Sequence, residues 1–322
     1  MLAIVAPGQG AQSPGFLNPW LEESRFAAGL SKLSEVSGTD LAHYGTEADA
    51  DTIRDTAIAQ PLLVAAGLLA AAELFPDPAQ AYPRIGVVAG HSVGEITAAA
   101  GVGVISSEQA MVFVAERGQA MAAASAARPT SMTAVIGGKP DEVLAAIERH
   151  GLTPANNNGS GQIVAAGTTE QLAALAGDPP PRARLIPLSV AGAFHTVHME
   201  PAVARLAELA SGIATQDPRT RLLSNADGQV VGDGREVLDR LVRQVAAPVR
   251  WDLCLEAMAG LGVTGLLELP PAGTLTGIAK RNLKGVELFA LNTPDQLAEA
   301  RAFIDQHGDA AAGPAVGTEA AG

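Results

Sequence analysis

Gly90-His91-Ser92-Val93-Gly94 sets a serine between two glycines in a Gly-x-Ser-x-Gly pattern, the spacing of a nucleophile elbow. The turn is strained, and glycine at the flanking positions lets a strand and a helix pack closely around it. The hydroxyl then stands at the carboxyl end of a sheet, beside a helix N-terminus whose dipole favours negative charge. The chemistry to expect is attack on an acyl group. A serine needs a base, and the chain has six histidines: His43, His91, His150, His195, His198 and His307. His91 adjoins Ser92, so its side chain should point away from the serine's. His43, His150 and His307 fall in polar, helix-end or tail contexts and read as solvated. His195 and His198 remain, in Ala191-Gly192-Ala193-Phe194-His195-Thr196-Val197-His198, a small-residue loop after an expected strand. Both stay open on the residues alone, with His195 preferred.

A second loop, Gly8-Gln9-Gly10-Ala11-Gln12, follows the first apolar run. A dinucleotide fingerprint would need glycine where Ser13 stands, and a phosphate loop would need Gly-Lys-Ser/Thr, which is absent. The better reading is an oxyanion-hole loop. One donor in such sites is the amide after the nucleophile, here Val93, and the second comes from another strand-end loop, here Gln9. Losing one such donor costs about 10²–10³ in rate.

These residues need a frame. The runs 2–6 and 85–89 are wholly apolar and read as buried strands feeding the two loops. Residues 17–75 read as mostly helical, with Pro61 where a helix could start and Pro76 and Pro78 at its end. A helix should follow the elbow to about residue 100, and another should run over 107–127. Strands are expected at 131–136, 162–167 and 184–190, an extended piece at 152–155, and helices at 140–150 and 169–176. This β-α-β-β-α-β order is ferredoxin-like. The fold expected is α/β: a hydrolase-like parallel-sheet domain from residues 1–128 and 191–307, with a ferredoxin-like α+β subdomain inserted at 129–190. Further strands are expected at 222–224, 266–269 and 286–290, between helices near 234–247, 251–261 and 273–283. The Ala/Gly/Pro-rich residues 308–322 read as a disordered tail.

Composition narrows the function. Of 322 residues, 48% are apolar and 3% aromatic, and the net charge is −13. Phosphate backbones are bound by basic residues and single-stranded bases by aromatic ones, so nucleic acid is not an expected partner. The single cysteine, Cys254, allows no intrachain disulfide and no cysteine-based metal site. Residues 1–7 lack the basic region of a signal peptide. The apolar stretch 62–72 is too short to span a bilayer and reads as a buried helix. A cytoplasmic chain with no membrane partner is expected.

Pro7-Gly8-Gln9-Gly10-Ala11-Gln12, Gln60-Pro61, Gly90-His91-Ser92-Val93-Gly94-Glu95, Glu116-Arg117-Gly118, Gly192-Ala193-Phe194-His195 and Pro248-Val249-Arg250-Trp251 occur in this order. With these motifs the chain resembles bacterial malonyl-CoA:acyl-carrier-protein transacylases from end to end, the tail excepted. The resemblance implies transfer of malonyl from malonyl-CoA to the phosphopantetheine thiol of a holo acyl carrier protein of fatty-acid or polyketide synthesis. It makes Ser92 the nucleophile and His195 the base, leaves His198 structural, and implies oxyanion donors from Gln9 and Val93. It assigns Arg117 to the substrate carboxylate and sets Phe194 and His91 among the substrate-binding residues. Malonyl-specific members carry Phe before the histidine and an aliphatic residue after the serine, as Phe194 and Val93 do here. Where the family usually has Gln before the Trp, this chain has Arg250, and that position's main-chain carbonyl is expected to orient the histidine. Glu95 fits a helix N-terminal role. One thioester is traded for another, so no cofactor and no metal is expected, and chains of this type are usually monomers. Carrier proteins of this kind are acidic, and Lys280, Arg281 and Lys284 form the densest basic cluster on which one could dock.

Overall fold

The structure, a computed structural model, describes residues 1–190 and 192–308. The expected tail beyond residue 308, and the expected boundary at Ala191, lie outside the described residues. Every residue of β1 (Leu2–Ala6) is buried, as a strand covered on both faces must be. It pairs in parallel with β2 (Val87–Gly90) on one side and with β8 (Gly265–Glu268) on the other. Parallel β9 (Glu287–Ala290) completes a sheet of order β2-β1-β8-β9. Loops at the carboxyl ends of β1 and β2 therefore lie side by side, where ligands of such sheets bind.

The second sheet is antiparallel among β3 (Thr130–Gly137), β4 (Thr153–Asn157), β5 (Gln162–Thr168) and β6 (Ala183–Pro187). Helices Pro140–Arg149 and Thr169–Gly177 pack on it through Val143, Ile147 and Leu175. The order β6-β3-β5-β4 is ferredoxin-like. At its edge stands a strand from much later in the chain: β7 (Val249–Arg250) pairs in parallel with Asn156 and Asn157 of β4. The main body thus supplies one strand of the second sheet.

Helix Thr56–Leu74 has mean hydropathy 1.7 and is long and apolar enough to cross a membrane; here it is a core helix beside helix Ser107–Ala126. A Cβ on Gly118 would come within 2.9 Å of the Thr56 carbonyl, so glycine there lets the two helices meet closely.

Several local expectations differ. Pro61 lies inside its helix; the start is at Asp55, whose carboxylate accepts from the Ala57 amide at 2.8 Å. Residues 222–224 form only bridges, Val88 to Leu222 and Leu223 to Val230, because a tight turn at Gly228 follows at once. Helices Glu200–Ser211 and Leu297–His307 are additional to the expected elements. The first buries Ala202, Leu206 and Ala210, a stripe too alanine-rich to stand out. His307 is buried rather than solvated: its Nδ1 lies 3.0 Å from Thr264 Oγ1 and its ring covers Gly265. His150 is largely buried as well.

Candidate active site

The elbow is as tight as its glycines allow. A Cβ on Gly94 would lie 2.2 Å from the Ala6 carbonyl oxygen, and one on Gly90 would lie 1.9 Å from the Gly94 carbonyl carbon. Ser92 itself sits at φ 54°, in the left-handed region, at a cost of about 1–3 kcal/mol. Its amide donates to Asn225 Oδ1 at 2.8 Å, and Asn225 Nδ2 donates to the Gly90 carbonyl at 2.8 Å, which holds the turn in that shape. Val93 follows as the N-cap of helix Gly94–Gly101.

Of the two histidines left open, His195 meets the serine: its Nε2 lies 2.7 Å from Ser92 Oγ. His198 is in a short 3₁₀ turn, and its amide bonds to Thr196 Oγ1. His195 is also left-handed, at φ 61°. Its amide donates to the Val245 carbonyl at 3.0 Å, and Thr196 Oγ1 to the Ala193 carbonyl at 2.6 Å. The His195 Nδ1 lies 2.9 Å from the Gln244 carbonyl. A carbonyl only accepts, so Nδ1 carries the hydrogen and Nε2 turns its lone pair to the serine. Burial first, and then the positive charge of Arg117, push the imidazole down to about 3. It is neutral at physiological pH.

The orienting carbonyl is therefore that of Gln244, not of Arg250. Arg250 lies in β7, where its amide bonds to the Asn225 carbonyl and its side chain pairs with Asp252 at 2.8 Å. Arg250 is the N-cap of helix Trp251–Gly260, a position whose carbonyl enters the helical ladder, while Gln244 ends helix Gly234–Gln244, where final carbonyls lack helical partners.

Arg117 rises from the middle of helix Ser107–Ala126 and is 1% exposed. It donates to Gln60 Oε1 at 2.6 Å and to Gln244 Oε1 at 2.9 Å, and its Nη2 reaches Ser92 Oγ at 3.4 Å. Burial lowers it to about 10, opposed by the charge of Glu95, so it stays cationic. Among the described residues no carboxylate is in ion-pair contact with it.

Ser92 and His195 open into a cavity of about 220 Å³. Gln9, His91 and Phe194 line it, with Met121, Met132, Val164, Leu188 and Val190 as an apolar wall. The Gln9 side chain donates to the Arg54 carbonyl and Thr56 Oγ1, both at 3.3 Å, which pins the loop. Among the described residues neither the Gln9 nor the Val93 amide has a protein acceptor. His91 does turn from the serine: its Nε2 lies 3.0 Å from Asn158 Oδ1, and its ring meets Trp251 edge-on. Lys280, Arg281 and Lys284 are exposed at the end of helix Thr274–Asn282 and just beyond, and that helix lines the cavity with Leu275 and Ile278.

Sequence reasoning passed over Gln244, Asn225 and Asn158, and gave Gln60 no role. Gln244 did carry a signal, since Val237, Leu241 and Gln244 follow the i, i+4, i+7 spacing of one buried helix face. Asn225 and Asn158 lie in irregular segments and carried none.

Sheet order, elbow and serine–histidine pair suit covalent acyl chemistry on Ser92, and residues 4–302 match the model of a family described as the acyl transferase domain. The chain belongs to that family. It is 50% identical over 299 residues to the malonyl CoA-acyl carrier protein transacylase of Mycobacterium tuberculosis, covering 93% of this chain and 99% of the relative. To the Escherichia coli enzyme of that name it is 32% identical over 310 residues, covering 92% and 98%. The crystal structure of MCAT from Mycobacterium tuberculosis superposes with TM-score 0.89 at 49% identity, over 94% of this chain and 99% of that one. A malonyl-transacylase solved with its holo type II polyketide acyl carrier protein superposes with TM-score 0.86 at 29% identity, over 94% and 99%.

Proposed function

We propose that the chain moves a malonyl group from malonyl-CoA to the phosphopantetheine thiol of an acyl carrier protein through a malonyl ester on Ser92. The observation that carries this reading is Arg117, a buried cation next to the serine with no carboxylate of its own among the described residues. Buried charges are ordinarily paired. A substrate carboxylate would complete it, and a planar guanidinium grips one with two hydrogen bonds. The names of the relatives, and a structural neighbour solved with a holo carrier protein, support the same substrate and acceptor.

In the first half-reaction the Ser92 hydroxyl gives its proton to His195 Nε2 as its oxygen attacks the thioester carbon. The oxyanion is held by the Gln9 and Val93 amides. The C–S bond then breaks, and His195 returns the proton to the coenzyme A sulfur. In the second half-reaction the pantetheine thiol gives a proton to His195, its sulfur attacks the ester, and Ser92 leaves with that proton. Arg117 keeps one charge balance throughout, because the carboxylate stays with the acyl group. His91 and Phe194 bound the substrate cavity, Lys280, Arg281 and Lys284 receive the carrier, and the chain works as a cytoplasmic monomer without a cofactor.

Intact-mass analysis after mixing with malonyl-CoA tests it. One malonyl adduct should form, be discharged by a holo carrier protein, and be absent from Ser92→Ala. An unmodified wild-type mass sinks the mechanism. An adduct that water discharges as fast as the carrier does would instead indicate a hydrolase.

A further inference from the structure

Behind the serine, on the side away from the substrate cavity, lies a carboxylate that the mechanism has not used. Glu95 stands in the first turn of helix Gly94–Gly101 and is 7% exposed. A helix N-terminal glutamate ordinarily serves its own helix. This one reaches across the molecule: Oε1 accepts from the Asn225 amide at 2.6 Å, and Oε2 accepts from Gln244 Nε2.

Each of those partners then holds a group beside the nucleophile. Asn225 Oδ1 accepts from the Ser92 amide. Gln244 Oε1 accepts from Arg117 Nη2, and the Gln244 carbonyl lies against His195 Nδ1. A side-chain amide has one oxygen and one nitrogen, so its orientation is set by what its nitrogen faces. Because the carboxylate and, at 3.3 Å, the Ser92 carbonyl accept from the Gln244 nitrogen, the oxygen is left for Arg117. With a donor at residue 95 the amide would turn, and its nitrogen would face the guanidinium. We propose that Glu95 is a positioning residue, a carboxylate one residue behind the serine–histidine pair that acts through Gln244 and Asn225 to hold Arg117 and Ser92 in register. Where a serine–histidine–aspartate site has a carboxylate on the imidazole, this site has a carbonyl there, and the acid stands behind the Gln244 amide instead.

Burial and hydrogen bonding act on this carboxyl in opposite directions. Burial pushes Glu95 up to about 8, against the Asn225 amide and the cations Arg117 and Arg240, while the charge of Glu95 opposes the fall of Arg117. Both carboxyl oxygens face N–H donors, the arrangement that favours the ionised form.

The proposal rests on malonyl as the substrate, since it says that Glu95 acts on recognition of the acyl carboxylate. Acetyl-CoA has the same thioester without that carboxylate. Rates of Ser92 acylation by malonyl-CoA and by acetyl-CoA, read by intact mass, are to be compared in wild type, Glu95→Gln and Gln244→Met, with thermal melting of each. Gln244→Met removes the relay and keeps the carbonyl on His195. The malonyl-to-acetyl ratio should fall about tenfold or more in both variants, the effect of losing a hydrogen bond to a charged group. A loss shared equally by both thioesters, or an unchanged ratio, in whichever variant folds would overturn the positioning role while the malonyl reading stands. A wild type acylated by neither thioester would overturn both.

Discussion

His195 and Arg117 share one small space with Ser92, and their electrostatics are linked. A cation within reach of the same hydroxyl disfavours an imidazolium, which is the second cause, after burial, of the low value near 3. A substrate carboxylate on Arg117 would cancel that repulsion, so His195 becomes a better base when the correct substrate is in place. His195 has a folded value below the unfolded 6.5, so its contribution to stability is present above 6.5 and is lost as pH falls from 6.5 towards 3. The free enzyme should therefore keep its activity through the pH where a solvated histidine would protonate. Measured as the rate of Ser92 acylation by acetyl-CoA, which does not draw on the Arg117 register held by Glu95, the profile should stay level between about pH 5.5 and 7; a halving near 6.5 would show an imidazole in contact with water. At this scale the sequence was legible where residue type alone restricts chemistry. It did not separate Gln244 from Arg250, since either could offer a carbonyl.

Helix Thr274–Asn282 carries cavity-lining residues on one face and exposed basic residues at its end. Glu268, fully buried at the end of β8, accepts from the Gly273, Leu275 and Thr276 amides at 2.8–2.9 Å. A carboxylate at a helix N-terminus both caps it and opposes its dipole. So anchored, the helix turns Leu275 and Ile278 to the cavity and leaves Lys280 exposed, with Arg281 donating to Gln162 at 2.9 Å across to the second sheet. Replacing Lys280, Arg281 and Lys284 together by alanine should raise KM for the holo carrier protein several-fold, flatten its salt dependence, and leave acylation by malonyl-CoA unchanged. Equal KM values at low salt would remove the patch from the docking site. This helix was legible from its flanks, as were the β1 and β2 runs. Residues 222–224 were not, because a short apolar run does not reveal that its neighbours turn away.

The cavity exists only where two sheets meet. His91 of the elbow reaches Asn158 beyond β4, and β7 crosses from the main body to the second sheet. Stability is held elsewhere: Trp20 is fully buried, stacks on Phe26 at 5.1 Å, and donates to the Asn292 carbonyl at 2.8 Å, which ties an early segment to a late one. Trp20→Ala should cost about 3–5 kcal/mol in urea unfolding and leave the acylation rate of the folded fraction unchanged; a matching fall in that rate would mean that the two are coupled. By itself the sequence determined the strand–elbow–helix unit, the ferredoxin-like order and the short list of nucleophile and base. Those depend on apolar runs, glycine positions and periodicity, which act over a few residues. Only the tertiary structure decided which carbonyl holds His195, where Arg117 points, and that Glu95 faces Gln244. Those pairs lie 49, 127 and 149 residues apart, and such contacts depend on how whole elements pack, to which no local pattern is sensitive.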